Sequence, residues 1–189
     1  MQRMLVCLLC AAFMPFAWAA DASRLIDVEK SVMTVHVYKS GFFSAFGHNH
    51  EVSAPIARGS FSDEKPAVDL IVNARQMKVM DRDVSDKDRA EIQQTMLGPK
   101  VLDTEKFPEI SFRSTQVEKL GSSKFVVNGE LTLHGQTRPV KVEVEGQGGH
   151  YRGSAQLKQT AFGITPITVG GGTVKVKNEV RVEFEIVAK

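Results

Sequence analysis

The 189 residues carry 24 Lys+Arg against 22 Asp+Glu, a formal net charge of +2, which suits one domain with a substantial core and no more. Charges alternate along segments such as Lys141-Val142-Glu143-Val144-Glu145 instead of gathering into a basic stripe, so nucleic acid is excluded as a partner. Both cysteines, Cys7 and Cys10, fall within the first ten residues; if that segment is removed, a disulfide scaffold, a thiolate metal site and a thiol nucleophile are excluded with it.

Taken in chain order, the first element is a targeting segment. Arg3 supplies a short positive start, Met4 to Phe16 is an apolar run broken only by Pro15, and Ala17-Trp18-Ala19 is a small-x-small cleavage site. That is the pattern of a secretory signal peptide over residues 1–19. Its apolar run is shorter than the roughly 18 residues of a spanning helix. A lipoprotein reading would acylate Cys10, but bulky Leu9 precedes it. Cleavage after Ala19 leaves residues 20–189, 170 of the 189, as a single exported domain.

Beyond the signal, period-two alternation dominates, and it predicts strands with one apolar face. Met33, Val35 and Val37 alternate with Thr34, His36 and Tyr38; Val68, Leu70 and Val72 follow, then Ile110-Ser111-Phe112-Arg113. Phe125, Val127, Leu131 and Leu133 share a face, as do Val140, Val142 and Val144, and Val180, Val182, Phe184 and Ile186 close the chain. Gly121-Ser122-Ser123, His134-Gly135-Gln136, Gly146 to Gly149 and Gly170-Gly171-Gly172 punctuate them as turns. Asp81 to Leu97 breaks the pattern: it lacks Gly and Pro and sets Ile92 and Met96 one helical turn apart. Ser85 serves as N-cap, Asp86 and Asp88 favour the positive end of the helix dipole, and Gly98-Pro99 stops the helix. The expectation is an all-β, extended antiparallel barrel of about eight strands with one helix inserted between the third and fourth. Closure removes exposed edges, and about eight strands enclose room for one small ligand; periodicity alone leaves a sandwich open.

Three ordered blocks carry a family resemblance. Arg82-Asp83, the helix and Asp103-Thr104-Glu105-Lys106-Phe107-Pro108-Glu109-Ile110-Ser111-Phe112-Arg113-Ser114 form the first. Val127-Asn128-Gly129-Glu130-Leu131-Thr132-Leu133-His134-Gly135-Gln136-Thr137-Arg138-Pro139-Val140 is the second, and Ala161-Phe162-Gly163-Ile164 with Asn178-Glu179-Val180-Arg181-Val182 the third. Together they resemble the YceI-like family over nearly the whole exported chain. The resemblance implies a lipocalin-like barrel in the periplasm that holds a long polyisoprenoid or quinone-like lipid in its interior without catalysis and without another cofactor. A transient contact with the membrane or a membrane protein, and a homodimer, stay open as partners. The charge-rich helical insert and His48-Asn49-His50 depart from the family's more usual pattern.

The densest local feature is Gly41-Phe42-Phe43-Ser44-Ala45-Phe46-Gly47-His48-Asn49-His50. Phe42, Phe43 and Phe46, with Phe162, are the candidate wall or mouth of the interior, and His48 or His50 the candidate polar contact at one end. On a strand, residues i and i+2 share a face, so His48 and His50 also suit a metal, with His36 as a third nitrogen if register allows; that arrangement is the alternative, a metal-dependent periplasmic enzyme. Against both stands plain packing by the phenylalanines and hydrogen bonding by the histidines. The run Asp81, Asp83, Asp86, Asp88 fails the calcium-loop spacing, because Asp86 stands where glycine belongs and Ile92 where glutamate belongs. No Gly-x-Ser-x-Gly, His-Glu-x-x-His or phosphate loop is present, and His134 beside its glycine reads as structural.

Overall fold

The computed structural model describes residues 23–40, 49–62, 67–169 and 174–189. The signal segment, the Phe42–His48 cluster and the Gly170–Gly172 turn lie outside the described residues. Within them the alternating runs form one wholly antiparallel sheet. Its strands are β1 (Arg24–Leu25), β2 (Val32–Ser40), β3 (His50–Ser53), β4 (Ile56–Ser62), β5 (Ala67–Asn73), β6 (Lys78–Val79), β7 (Glu109–Lys119), β8 (Lys124–Leu133), β9 (Gln136–Gln147), β10 (His150–Lys158), β11 (Thr168–Val169) and β12 (Val174–Val187).

The first six are three kinked strands. β2 pairs β3 while β1 pairs β4, and β3 pairs β6 while β4 pairs β5. Two of the kinks have a local cause in hydrogen bonding. Between β1 and β2, the Asp27 carboxylate accepts from the Glu29 and Lys30 amides while its carbonyl accepts from Ser31; the hydrogen bond from the Lys30 side chain holds the Asp27 carboxyl below its ordinary range. Between β5 and β6 a 3-10 turn, Ala74–Gln76, is capped by Asn73. With these joined and the short β11 set aside, the sheet is a meander of eight strands. Its last member, β12, pairs back onto the first through β2 and through the Ile26–Ala188 bridge, with Asp27 N donating to Val187 O at 2.7 Å and Lys189 N to Leu25 O at 2.9 Å. The ladder closes into a barrel.

One seam stays parted, because β6 does not pair with β7. Helix α1 (Asp86–Leu97), between the third and fourth joined strands, lies beside it. Ser85 caps the helix, its side chain accepting from Asp88 N, and Ile92, Met96 and Leu97 pack on the core. The helix starts at Asp86, directly after the Ser85 cap read from the sequence, while Asp81 at the head of the acidic stretch stays outside it and accepts a hydrogen bond from the Glu51 amide of β3. Gln93 takes the place of a missing strand: its Oε1 accepts from Val79 N and its Nε2 donates to Met77 O, both at 2.8 Å. A buried edge with unpaired backbone groups is costly, and a side-chain amide satisfies it here.

The family-like blocks meet at this same end. Thr104 Oγ1 donates to Leu97 O at the helix terminus, and Arg75 Nε donates to Thr104 O. The ring of Phe107 stacks edge-on against His134, centroids 4.9 Å apart. His134 (φ 51) and Gly135 (φ 70) form a two-residue hairpin turn between β8 and β9, the geometry favoured by strand twist, and His134 Nδ1 lies 3.1 Å from Phe162 O. His134 is structural, as its turn position suggested.

Replacing Gln93 by Ala leaves the Val79 amide, in a residue 2% exposed, without a partner. The expected loss is about 1–3 kcal/mol in chemical denaturation, with Gln93→Glu, which keeps the acceptor, retaining more of the stability. A Gln93→Ala midpoint equal to that of the parent would mean the edge is satisfied some other way.

Candidate functional site

Inside the barrel the alternating faces converge on one hollow of about 320 Å³. Every apolar set read from the period-two pattern lines it: Met33, Val35 and Val37; Val68, Leu70 and Val72; Ile110 and Phe112; Phe125, Val127, Leu131 and Leu133; Val140, Val142 and Val144; Val180, Val182, Phe184 and Ile186. Met96 of α1 and Leu102 join them at the parted end. Among the described residues no charged side chain lines the space, and the polar members are Ser62, Tyr151 and Gln159. Gln159 is already held, its Nε2 donating to Lys177 O at 2.8 Å, and Ser62 and Tyr151 have partners within the protein. The volume falls within the roughly 300–1,000 Å³ usual for small-molecule sites.

Glycines keep the middle open. A Cβ on Gly129 would stand 2.5 Å from the Phe112 ring, and one on Gly153 2.5 Å from the tip of Phe184. Both rings therefore lie over glycine on the neighbouring strand instead of reaching across the barrel. Opposite α1, aromatic contacts gather at the far end. Phe61 meets Tyr151 edge-on at 5.2 Å, Phe125 meets the same tyrosine at 6.2 Å, and the Arg24 guanidinium sits 5.6 Å from the Phe61 centroid.

The candidate residues separate. Phe42, Phe43, Phe46 and His48 lie outside the described residues. Phe162, expected on the wall or mouth, is 2% exposed in the core cluster with Met77, Leu102 and Ile164 and does not line the hollow. Its neighbour Ile164 does, because the left-handed turn at Gly163 (φ 73) redirects the chain. His36 is paired in register with Glu51 on β3, and His50 with Val37 on β2. Alternation therefore puts His36 on the outer face and His50 on the concave face, and a shared His36–His50 metal site is ruled out by register. His36 instead reaches Glu183, Nε2 to Oε2 3.2 Å, with Glu51 3.8 Å from Nδ1.

His50 has a partner that sequence reasoning assigned elsewhere. Its Nδ1 is 2.6 Å from Oδ2 of Asp81, whose other oxygen accepts from Glu51 N at 2.8 Å. The Asp81 side chain is 1% exposed and that of His50 21%. Arg89 of α1 donates to the Asp81 carbonyl, so the helix also fixes this corner. Thirty-one residues separate the pair, and no local pattern links them; Asp81 was instead grouped with the helix-start carboxylates.

Residues 25–188 match the YceI-like domain model. The chain belongs to the YceI-like family. It is 32% identical over 165 residues to a UPF0312 protein of Shewanella oneidensis, covering 80% of this chain and 81% of that one, and 32% identical over 136 residues to a UPF0312 protein of Vibrio parahaemolyticus, covering 66% and 68%. Among solved structures it is similar to Burkholderia cenocepacia BcnA, with TM-score 0.60 and 20% identity over 87% of this chain and 99% of that one. A Campylobacter jejuni YceI protein aligns with TM-score 0.54 and 13% identity over 81% and 85%. At such identities the likeness concerns the fold, and it agrees with the all-β barrel read from alternation. In this YceI-like barrel the motif blocks meet at the end bearing α1, and they also supply part of the wall of the hollow, among it Phe112, Val127, Leu131 and Val182.

Gly129→Ala should destabilise the barrel through the Phe112 contact, and Phe112→Leu should relieve part of that cost. Denaturation of the two single variants and the double variant should give a coupling of about 0.5–3 kcal/mol, partial because the Arg113 carbonyl also lies 2.6 Å from the new Cβ. Strict additivity would show that the ring is not resting on Gly129.

Proposed function

We propose that this protein is an exported periplasmic binding protein that holds a long-chain polyisoprenoid or quinone-like lipid inside the barrel and catalyses nothing. The observation that carries this reading is the lining: a hollow of about 320 Å³ walled by Val, Leu, Ile, Met and Phe, with no charged side chain among the described residues and its few polar groups already engaged. An aqueous substrate would find no free polar partner along such a wall, whereas an apolar chain loses only its contact with water. At about 25 cal/mol per Å² of apolar surface, a chain burying several hundred Å² gains enough to bind at micromolar concentration or tighter after ordering costs.

Export rests on the Arg3, Met4–Phe16 and Ala17-Trp18-Ala19 pattern, and the family membership supports a binding role. Carriage between membranes would require a transient membrane contact, and a homodimer would provide one way to shield an open mouth. The metal-dependent alternative loses its His36 arm to the register of β2 and β3.

Protein purified from its own periplasm and extracted with organic solvent should release a long hydrocarbon-chain lipid at near-stoichiometric yield by mass spectrometry. Val142→Trp, which adds an indole at a lining position, should keep the β-sheet circular dichroism and lose at least nine-tenths of that lipid. A folded Val142→Trp variant with the parent's full lipid content, or a parent that releases none, would refute the interior as the binding site.

A further inference from the structure

We infer that the outer face of β9, β10 and β12, at the end bearing α1, docks on a bilayer rich in anionic phospholipid and sets against it a stretch of barrel wall where the ladder is open. The inference rests on the proposed interior binding for what such a contact exchanges, and it names where the barrel meets a membrane.

The charge follows from register. On β9 the lining residues Val140 and Val142 flank Lys141, which therefore projects outward. On β10 Lys158 follows the lining residue Leu157 and stands opposite Glu179 of β12. Lys175 stands opposite Ser40, which shares the outer face of β2 with His36 and Tyr38, and the Lys177 ammonium lies 6.0 Å from the Tyr38 ring centroid. With Arg138 near the start of β9, all of these cations are exposed. Lys141, Lys158 and Lys175 have no ion pair among the described residues. Arg138 is held by neutral partners, the Thr137 carbonyl and the Gln136 side chain. Toward the aromatic end the same strands carry Glu143, Glu145, Glu183 and Glu185, with Arg152 and Arg181 paired to Glu145 and Glu183. The outer face is thus polarised along the barrel axis. The cations are scattered in sequence from Arg138 to Lys177, and only strand pairing gathers them.

The wall behind the charges is open. β9 begins at Gln136 and β10 ends at Lys158, yet their pairing stops at Val142 opposite Ala155. Beyond that point the strands part around a cleft lined by Arg138, Lys141, Lys158 and Arg181, together with Val140, Ala155 and Leu157. Those three apolar residues also line the hollow, so cleft and hollow share a wall without β9–β10 pairing across it. Widening the cleft there breaks no ladder bond between the two strands. The partner follows from breadth as well as sign. The cations spread over three strands, roughly 10 Å across at about 4.8 Å per strand, with Glu179 among them. Such a face suits a layer of phosphates more than one compact anion, which Glu179 would repel. Near an anionic surface each cation is worth about fivefold in binding, and the carboxylates toward the other end orient the approach.

The test is co-sedimentation of the full mature chain with vesicles of phosphatidylcholine alone or mixed with equal phosphatidylglycerol. The parent should bind the mixed vesicles at least about tenfold more tightly, and about 1 M salt, which screens charges beyond about 3 Å, should remove the difference. Lys141→Glu with Lys158→Glu should weaken binding to the mixed vesicles more than about tenfold. Lys119→Glu with Lys124→Glu makes the same change of net charge beside Phe125 at the aromatic end and should weaken it less than about threefold. If circular dichroism shows the first double variant unfolded, Lys141→Gln with Lys158→Gln should still lose about fivefold or more. Equal binding of both vesicle types by the parent, or equal losses in the two charge-reversed variants, would overturn the docking face. A parent that prefers the mixed vesicles but releases no lipid to organic solvent would leave the docking face standing and refute the interior reading instead.

Discussion

Everything in this molecule depends on keeping an unfilled interior inside a closed hydrogen-bond ladder. An eight-stranded barrel is narrow enough for its own side chains to fill, and interiors ordinarily pack to crystal density. Here the inward positions are dominated by valine, and the rings of Phe112 and Phe184 lie over Gly129 and Gly153. Were it sealed and empty, a hollow of about 320 Å³ would cost at most about 8 kcal/mol at roughly 24 cal/mol per Å³. That is comparable to the whole net stability of an ordinary domain, about 5–15 kcal/mol. Closure is what makes such a cost supportable, because it leaves few backbone groups unpaired at an edge. The same magnitude describes what an apolar guest would return to the fold.

The parted seam between β6 and β7 shows how closure is maintained where pairing stops. The Gln93 amide supplies one donor and one acceptor to β6, the exchange a neighbouring strand would make. The helix that carries Gln93 is anchored by Ser85 at its start and by the Thr104 hydroxyl at its end, and Asp81 is tied to the same helix through Arg89. The family-like blocks around Phe107, His134 and Phe162 therefore have a scaffolding explanation. They join the helix terminus, the β8–β9 turn and the β10–β12 connection, three pieces remote in sequence.

What was legible in the sequence follows the same physics. Strands with Val, Leu or Phe at every second position declared both their type and their inward face, and all of those residues line the hollow. The Ser85 cap and the Ile92–Met96 spacing located α1. β4 and β10 were not legible: at their inward positions stand Gly59 beside Phe61, and Gly153 and Ala155 between Tyr151 and Leu157. Small residues there make room for Ile26 and Phe184, so the features that preserve the hollow also erase the alternation. Phe162 was misplaced because composition cannot distinguish a ring that caps a core from one that lines a cavity. The His50–Asp81 pair was invisible for a different reason, since only the pairing of β2 with β3 and β3 with β6 brings residues 50 and 81 together.

The two ends of the barrel differ in a way that bears on how any guest must lie. The end bearing Phe61, Phe125 and Tyr151 closes with ring on ring, with Arg24 over the outermost. The end bearing α1 carries an imidazole on the concave face, held by a sealed carboxylate. Burying a hydroxyl in hydrocarbon without a partner costs about 2–7 kcal/mol, depending on the reference state, which offsets roughly three to nine methylenes of tail at about 0.8 kcal/mol each. The lipid proposed here, with one polar terminus, would therefore lie with its tail toward the aromatic end and its head toward the end bearing α1.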